Sequence, residues 1–209
     1  MPNPSLSVKA AAELLQLPAY EQERILLEQK YPRQQPQSFR APFYSPALAG
    51  IRRYYAAGRD PLVLATQKAA IRQLGLPQRR DHNLRVISEF EGSPQAQRQI
   101  QPLPSPRIRA AMGTVEFRLS LDLLGDERGQ LRRIYYNCRS TPIEVAVAKT
   151  ALDIASWVLE EAGFAIPMRQ LEYVDFAGGR VVKHAVRSAQ TIRRLRASAR
   201  IIEAIWPSL

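Results

Sequence analysis

Near Gln99 the apolar residues of this chain change from the period of a helix to that of a strand, and few folds accommodate the order of elements beyond that point. Val115, Phe117, Leu119 and Leu121 alternate with Glu116, Arg118, Ser120 and Asp122, the pattern of a half-buried strand with Asp122 on its polar face. Residues 125–129 read as a hairpin turn and 131–138 as the return strand. Thr141-Pro142-Ile143-Glu144 has the form of a capping box with proline at the first helical position, opening a long helix that ends at Gly163. Apolar residues, among them Leu152, Ile154, Trp157 and Leu159, cover most of its circumference, so this helix is expected to be heavily buried. A second hairpin is predicted over 171–176 and 180–186 around Gly178-Gly179, then a last helix capped by Ser188. Pro102, Pro104 and Pro106 mark an edge or loop before the first strand.

Upstream of the period change the reading is helical. Ser7 is placed to cap a helix running through residue 15, with Pro18 as its stop, and a second helix is predicted over 20–30. The acids Glu21, Glu23 and Glu28 on that second helix would repel a phosphate backbone, so a helical hairpin packed on the body is favoured over a helix-turn-helix. Residues 33–46, with three prolines, read as a linker. Helices are then predicted over 46–57, from the Asp60-Pro61 cap to Gly75, and from an Asp81 cap over 82–91. The resulting fold class is α+β, a mixed sheet flanked by helices, with residues 1–80 as a helical extension and 81–209 as the α/β core.

With 209 residues, 45% apolar and 23% charged, the chain is long enough to bury one core, and no apolar run approaches the roughly 18 residues of a membrane span. No membrane partner is expected. The first residues lack a signal-peptide pattern, and a lone Cys138 excludes an internal disulfide, so a cytoplasmic location is expected.

Charge narrows the partners. The formal net charge is +11, and the lysines number only Lys9, Lys30, Lys68, Lys149 and Lys183, so arginine dominates the cations. Arginine's planar fork suits phosphate oxygens, which makes nucleic acid, and DNA first, the expected partner. Arg52-Arg53-Tyr54-Tyr55 interleaves cations with aromatics, a combination suited to backbone contact plus base stacking unless the tyrosines pack inward. On the last helix Ile192, Leu195, Ala199, Ile202 and Ile205 or Trp206 form an inward stripe, while Arg193, Arg196 and Arg200 share another face beside Arg194. Arg132, Arg133 and Arg139 complete the set of candidate nucleic-acid contacts.

In order of elements, residues 81–206 resemble the PD-(D/E)XK nuclease superfamily, in particular its RecB-like exonuclease branch. The match rests on Leu119-Ser120-Leu121-Asp122-Leu123-Leu124 as the strand of the first acid and Ile134-Tyr135-Tyr136-Asn137-Cys138-Arg139 as the strand of the second motif. The resemblance implies a restriction-endonuclease-like sheet with Asn137 where a second acid stands and Arg139 where the lysine stands. His82 falls where RecB-like proteins place a metal-binding histidine. Two carboxylates and a lysine are what a Mg²⁺- or Mn²⁺-dependent hydrolysis needs, and a guanidinium with a pKa above about 12 cannot act as the base. Asp122, Asn137 and Arg139 are therefore read as vestigial, with no catalytic residue assigned and no cofactor. If the site were active, Asp122, Glu116 and His82 are the metal candidates, Glu172 and Asp175 further acids, and Lys149 or Lys183 a replacement lysine.

The expected function is a basic pseudoenzyme that binds nucleic acid on a nuclease-like fold, as an accessory factor in DNA processing or defence and with room for a protein partner. Two alternatives stand beside it: an active metal-dependent deoxyribonuclease with relocated acids, and a protein-interaction module docking an acidic partner.

Overall fold

The computed structural model describes residues 3–31, 41–164 and 166–209. Most of the linker predicted over 33–46, and the start of the chain on which the signal-peptide reading rested, lie outside the described residues. The elements run β1 (Ser5–Ser7), α1 (Val8–Leu14), α2 (Ala19–Lys30), α3 (Ser45–Ala56), α4 (Pro61–Arg72), α5 (Pro77–Glu91), β2 (Gln101–Leu103), β3 (Ile108–Met112), β4 (Val115–Leu119), β5 (Leu123–Glu127), β6 (Gln130–Asn137), α6 (Val145–Glu161), β7 (Leu171–Asp175), β8 (Arg180–Val182) and α7 (Ala189–Ile205). The class is α+β with mixed sheets.

Two sheets form, one in the order β1-β4-β3 and one in the order β2-β5-β6-β7-β8. The strand predicted through Asp122 is split. Val115, Phe117, Leu119 and Leu121 belong to one apolar core, whereas Leu123 belongs to a second. The unbroken alternation of leucines hides a crossover at residues 120–122, where the chain leaves one sheet for the other. β6 and β7 are parallel, joined through α6, while β5–β6 and β7–β8 are antiparallel.

The five-stranded sheet separates the two cores. Tyr135, Leu171, Tyr173 and Val182 face the core shared with α1, α6 and α7. Ile134, Tyr136 and Val174 face the core built by α3 to α5 around Ile51, Ile71 and Phe90. Period-two side chains from β6 and β7 thus serve opposite cores, which is why the central runs Ile134-Tyr135-Tyr136 and Tyr173-Val174 are apolar without alternation. α6 buries most of its surface, as its composition predicts. Gly125 is required where β2 crosses β5, because a Cβ there would lie 2.3 Å from Ile100 Cγ2.

Residues 1–80, expected as an extension, contribute to both cores: β1 pairs in parallel with β4, α1 packs on α6, and α3 and α4 pack with α5. Ser7, Asp60 and Ser188 cap their helices through side-chain acceptors as predicted. Asp81 does not cap a helix. Pro77 starts α5 one turn earlier, and Asp81 pairs with Arg80 instead. The capping box at Thr141 also fails, because Asp175 Oδ2 accepts the Ile143 N–H and α6 begins only at Val145.

Candidate functional site

β5 runs antiparallel to β6, so Asp122, just before β5, arrives at the sheet end where β6 finishes in Asn137-Cys138-Arg139. The parallel strand β7 delivers Asp175 to the same end, in register with Asn137. Carboxyl ends of parallel strands are where α/β sheets commonly present their ligands.

The acid is already engaged. Asp122 Oδ2 accepts from Lys9 Nζ at 2.6 Å and from the Tyr136 N–H at 2.8 Å, and Lys9 also donates to the Tyr136 carbonyl at 3.0 Å. Lys9 comes from α1, and its ammonium lies 5.2 Å from the Tyr135 ring centroid and 5.8 Å from that of Tyr173, within cation–π range. Burial alone would favour a neutral amine, but the Asp122 carboxylate outweighs it and holds the Lys9 pKa well above its ordinary value. Burial pushes the Tyr173 phenol up to about 12 and the Cys138 thiol up to about 12, with the Asp122 charge adding to both. Neither a phenolate nor a thiolate nucleophile is available here near neutral pH.

Four residues along α1, Glu13 reaches Arg139, with Oε1 2.6 Å from Nη2. One face of α1 therefore supplies a cation to Asp122 and an anion to Arg139. Arg52 Nε donates to the Asp122 carbonyl at 2.8 Å, and Arg85 donates to the Cys138 carbonyl at 2.5 Å while pairing with Glu89. Asn137 faces the other way: its Nδ2 donates to the Thr141 carbonyl and to Asp175 Oδ1, and its Oδ1 accepts the Arg139 N–H. With Asp175 fully buried and also bound to Ile143 N and Arg180, this pair clamps the turn into α6. Asn137 is a structural residue here, and Asp122, not Asn137, marks the site. No family model, curated protein or solved structure matches this chain.

The remaining candidates do not gather around Asp122. Glu116 sits in the other sheet, accepting from Ser5 Oγ and Arg109, so the predicted shared face of Glu116 and Asp122 is lost at the crossover. His82 packs edge-on to the Phe43 and Tyr44 rings. Glu172 binds Arg98 and Lys183, Lys149 is exposed on α6, and the lysine at Asp122 is Lys9. The cation paired with Asp122 is Lys9, while Arg132 pairs with Glu127. His184 lies beyond β8, with Nε2 3.2 Å from Asp153 Oδ1, and is only 18% exposed. Among the described residues, no three His, Cys, Asp or Glu side chains are placed to hold a metal ion.

The arginines divide into separate groups. Arg52 and Arg139 border Asp122, whereas Arg53 donates to Gln67 on α4. Arg132 pairs with Glu127 and Arg133 is buried against Gln170, both near the opposite end of β6. Arg132 and Arg139 are seven positions apart on an extended chain, roughly 23 Å, and so do not share one contact patch with each other. Arg193, Arg196 and Arg200 stand exposed on α7 and form no ion pair with a described residue. Tyr54 and Tyr55 are buried, their hydroxyls donating to the Ala96 and Gln95 carbonyls, so neither is a base-stacking platform. Sequence reasoning missed Lys9 and Glu13; their only local signal is an ion pair's spacing on a mostly apolar helix.

Proposed function

We propose that this chain is a nucleic-acid-binding protein, with DNA its first candidate ligand, on a restriction-endonuclease-like scaffold of the PD-(D/E)XK type that does not cut. It would act as an accessory factor in DNA processing or defence. The order β5, β6, α6, β7 supports the scaffold, with Asp122 before β5 and Asn137-Cys138-Arg139 at the end of β6. Absence of cutting is supported by the ammonium of Lys9 standing 2.6 Å from Asp122 Oδ2, where it neutralises the carboxylate that a divalent ion would need. The observation that carries the binding reading is the exposed row Arg193, Arg196 and Arg200, none of them in an ion pair with a described residue, in a chain of net charge +11. Such a row contacts phosphate and gives little sequence specificity.

Anisotropy titration of a fluorescent duplex between about 50 and 200 mM salt tests this, since each lost phosphate contact changes the slope of log K on log salt by about 0.9. Replacing Arg193, Arg196 and Arg200 with alanine is expected to reduce that slope by about 2.7. An unchanged slope would reject the α7 assignment; binding that is absent, or insensitive to salt, would instead favour docking of an acidic protein.

One observation favours a second reading, an active metal-dependent deoxyribonuclease: a lysine does stand beside Asp122, though it comes from α1. Plasmid cleavage that appears with Mn²⁺ and disappears in Asp122→Ala would establish it over the first.

A further inference from the structure

At the end of β5 remote from Asp122 lies an open recess of about 420 Å³, lined by Arg98, Arg128, Arg132, Gln97, Gln99 and Gln130 together with Glu127. Its volume falls within the range of about 300–1,000 Å³ typical of small-molecule sites. The cations beneath it outnumber the anions. Glu127 meets Arg98 and Arg132, and fully buried Glu172 meets Arg98 at 2.6 Å, Lys183 at 2.9 Å and Arg132 at 3.6 Å. Two carboxylates thus face three cations, and Arg128 adds a fourth at the rim.

These arginines differ in what they have left to offer. Arg98 is saturated: Nε and Nη2 bind Glu127, Nη1 and Nη2 bind Glu172, and Nη1 also binds Gln95 Oε1. Arg132 donates to Glu127, to Gln130 Oε1 and to the Arg169 carbonyl, and keeps further N–H groups. Arg128 makes no hydrogen bond or ion pair with a described residue.

A second observation is independent of charge. Arg128 and Gly129 form the two-residue turn between β5 and β6, with φ of 55° and 77°. Such turns favour asparagine or glycine at the first position, and a side chain as large as arginine there is strained. Backbone strain of this kind collects at ligand sites. The flanking glutamines carry carboxamides able to meet a base edge in two hydrogen bonds.

We propose that this recess binds a phosphate monoester of nucleotide size, a nucleoside 5′-monophosphate, with Arg128 and Arg132 on the phosphate. The site is distinct from the α7 arginines and does not rest on the DNA-binding reading. Calorimetric titration of the whole protein with AMP, inorganic phosphate and adenosine is the test. AMP is expected to bind saturably, with a Kd on the order of 10⁻⁴ M, inorganic phosphate more weakly, and adenosine not measurably. Arg128→Asn keeps the turn and improves its conformation, so it leaves folding intact while weakening AMP about tenfold through loss of one charge-assisted contact. The same substitution leaves the salt slope of duplex binding unchanged, which separates failure here from failure of the α7 assignment. No saturable AMP binding at millimolar ligand, equal affinity for adenosine or for bare phosphate, or full affinity in Arg128→Asn would each overturn the proposal.

Discussion

Asp122 and Glu127 bracket the same strand, about 17 Å apart if β5 is fully extended, yet the protein treats the two ends of that strand in opposite ways. At the Asp122 end, charges are matched one to one by a helix from the start of the chain: Lys9 answers Asp122 and Glu13 answers Arg139. At the Glu127 end, Glu127 and Glu172 share Arg98, Arg132 and Lys183, with Arg128 left over. Charge balanced by the chain's own residues holds the fold together. Charge in excess is what a ligand can use. The contrast argues against reading every arginine of a basic protein as a binding residue, because Arg98 and Arg133 spend their hydrogen bonds inside the chain, on Glu172 and Gln170 among others.

The comparison is broken most forcefully at Glu172. Its carboxylate is fully buried, and replacing it with alanine leaves Arg98 and Lys183 without their shared partner. Breaking a buried pair typically costs about 3–5 kcal/mol, and urea unfolding of Glu172→Ala should show a loss in that range. A loss below about 1 kcal/mol would mean the surplus cations are already solvated, and the two ends would no longer differ in kind.

Lys9→Met ranks next. Asp122 then keeps only the Tyr136 N–H among its described side-chain partners, at 12% exposure. Lys9 is itself 34% exposed, so water recovers part of the loss and a cost of about 2–3 kcal/mol is expected, below that of a fully buried pair. Adding Asp122→Asn should return about 1 kcal/mol or more by removing the stranded charge, measured as the coupling in a double-mutant cycle. Additive effects would show that Lys9 packs on the Tyr135 and Tyr173 rings without pairing electrostatically.

Little of this pairing was legible in the sequence, and the reason is separation along the chain. Ser7, Asp60 and Ser188 announce their helices because a cap acts on a backbone N–H two or three residues away. The inward stripe of α7 through Leu195, Ala199 and Ile202 is equally local. Lys9 and Asp122, in contrast, are 113 residues apart, and no periodicity couples them. The three-stranded sheet was missed because Leu119, Leu121 and Leu123 keep one alternation while the chain passes from one core to the other. The structural bond of Asn137 was equally hidden, because its partner, Asp175, lies 38 residues on and beyond α6.

A smaller effect distinguishes the ends by pH. The Arg98 hydrogen bonds hold the Glu127 carboxyl below its ordinary value, against burial, with Arg132 adding to the effect. A depressed folded-state pKa contributes stability that is present above the unfolded value of about 4.3 and is lost as pH falls through the folded value. Glu127→Gln should therefore flatten the acid limb of a stability profile recorded from about pH 5 downward. A limb as steep as that of the parent would mean that Arg98 is held by Glu172 alone.

The smallest expected change is also the one of opposite sign. Arg128 occupies a left-handed position at φ 55° that asparagine adopts more readily, so Arg128→Asn should stabilise the protein by about 0.5 kcal/mol. For a chain of this length that is a rise in Tm of about 1–2 °C, resolvable by calorimetry on matched samples. Any single substitution of Lys9, Asp122 or Asn137 in the parent removes a contact the fold uses, and a loss is the only outcome expected there. A gain at Arg128 would show that this arginine is kept at some cost to folding, as a residue retained for a ligand is. A loss there would mean that the exposed side chain makes its contribution within the chain, and the recess would then resemble the opposite end of β5 after all.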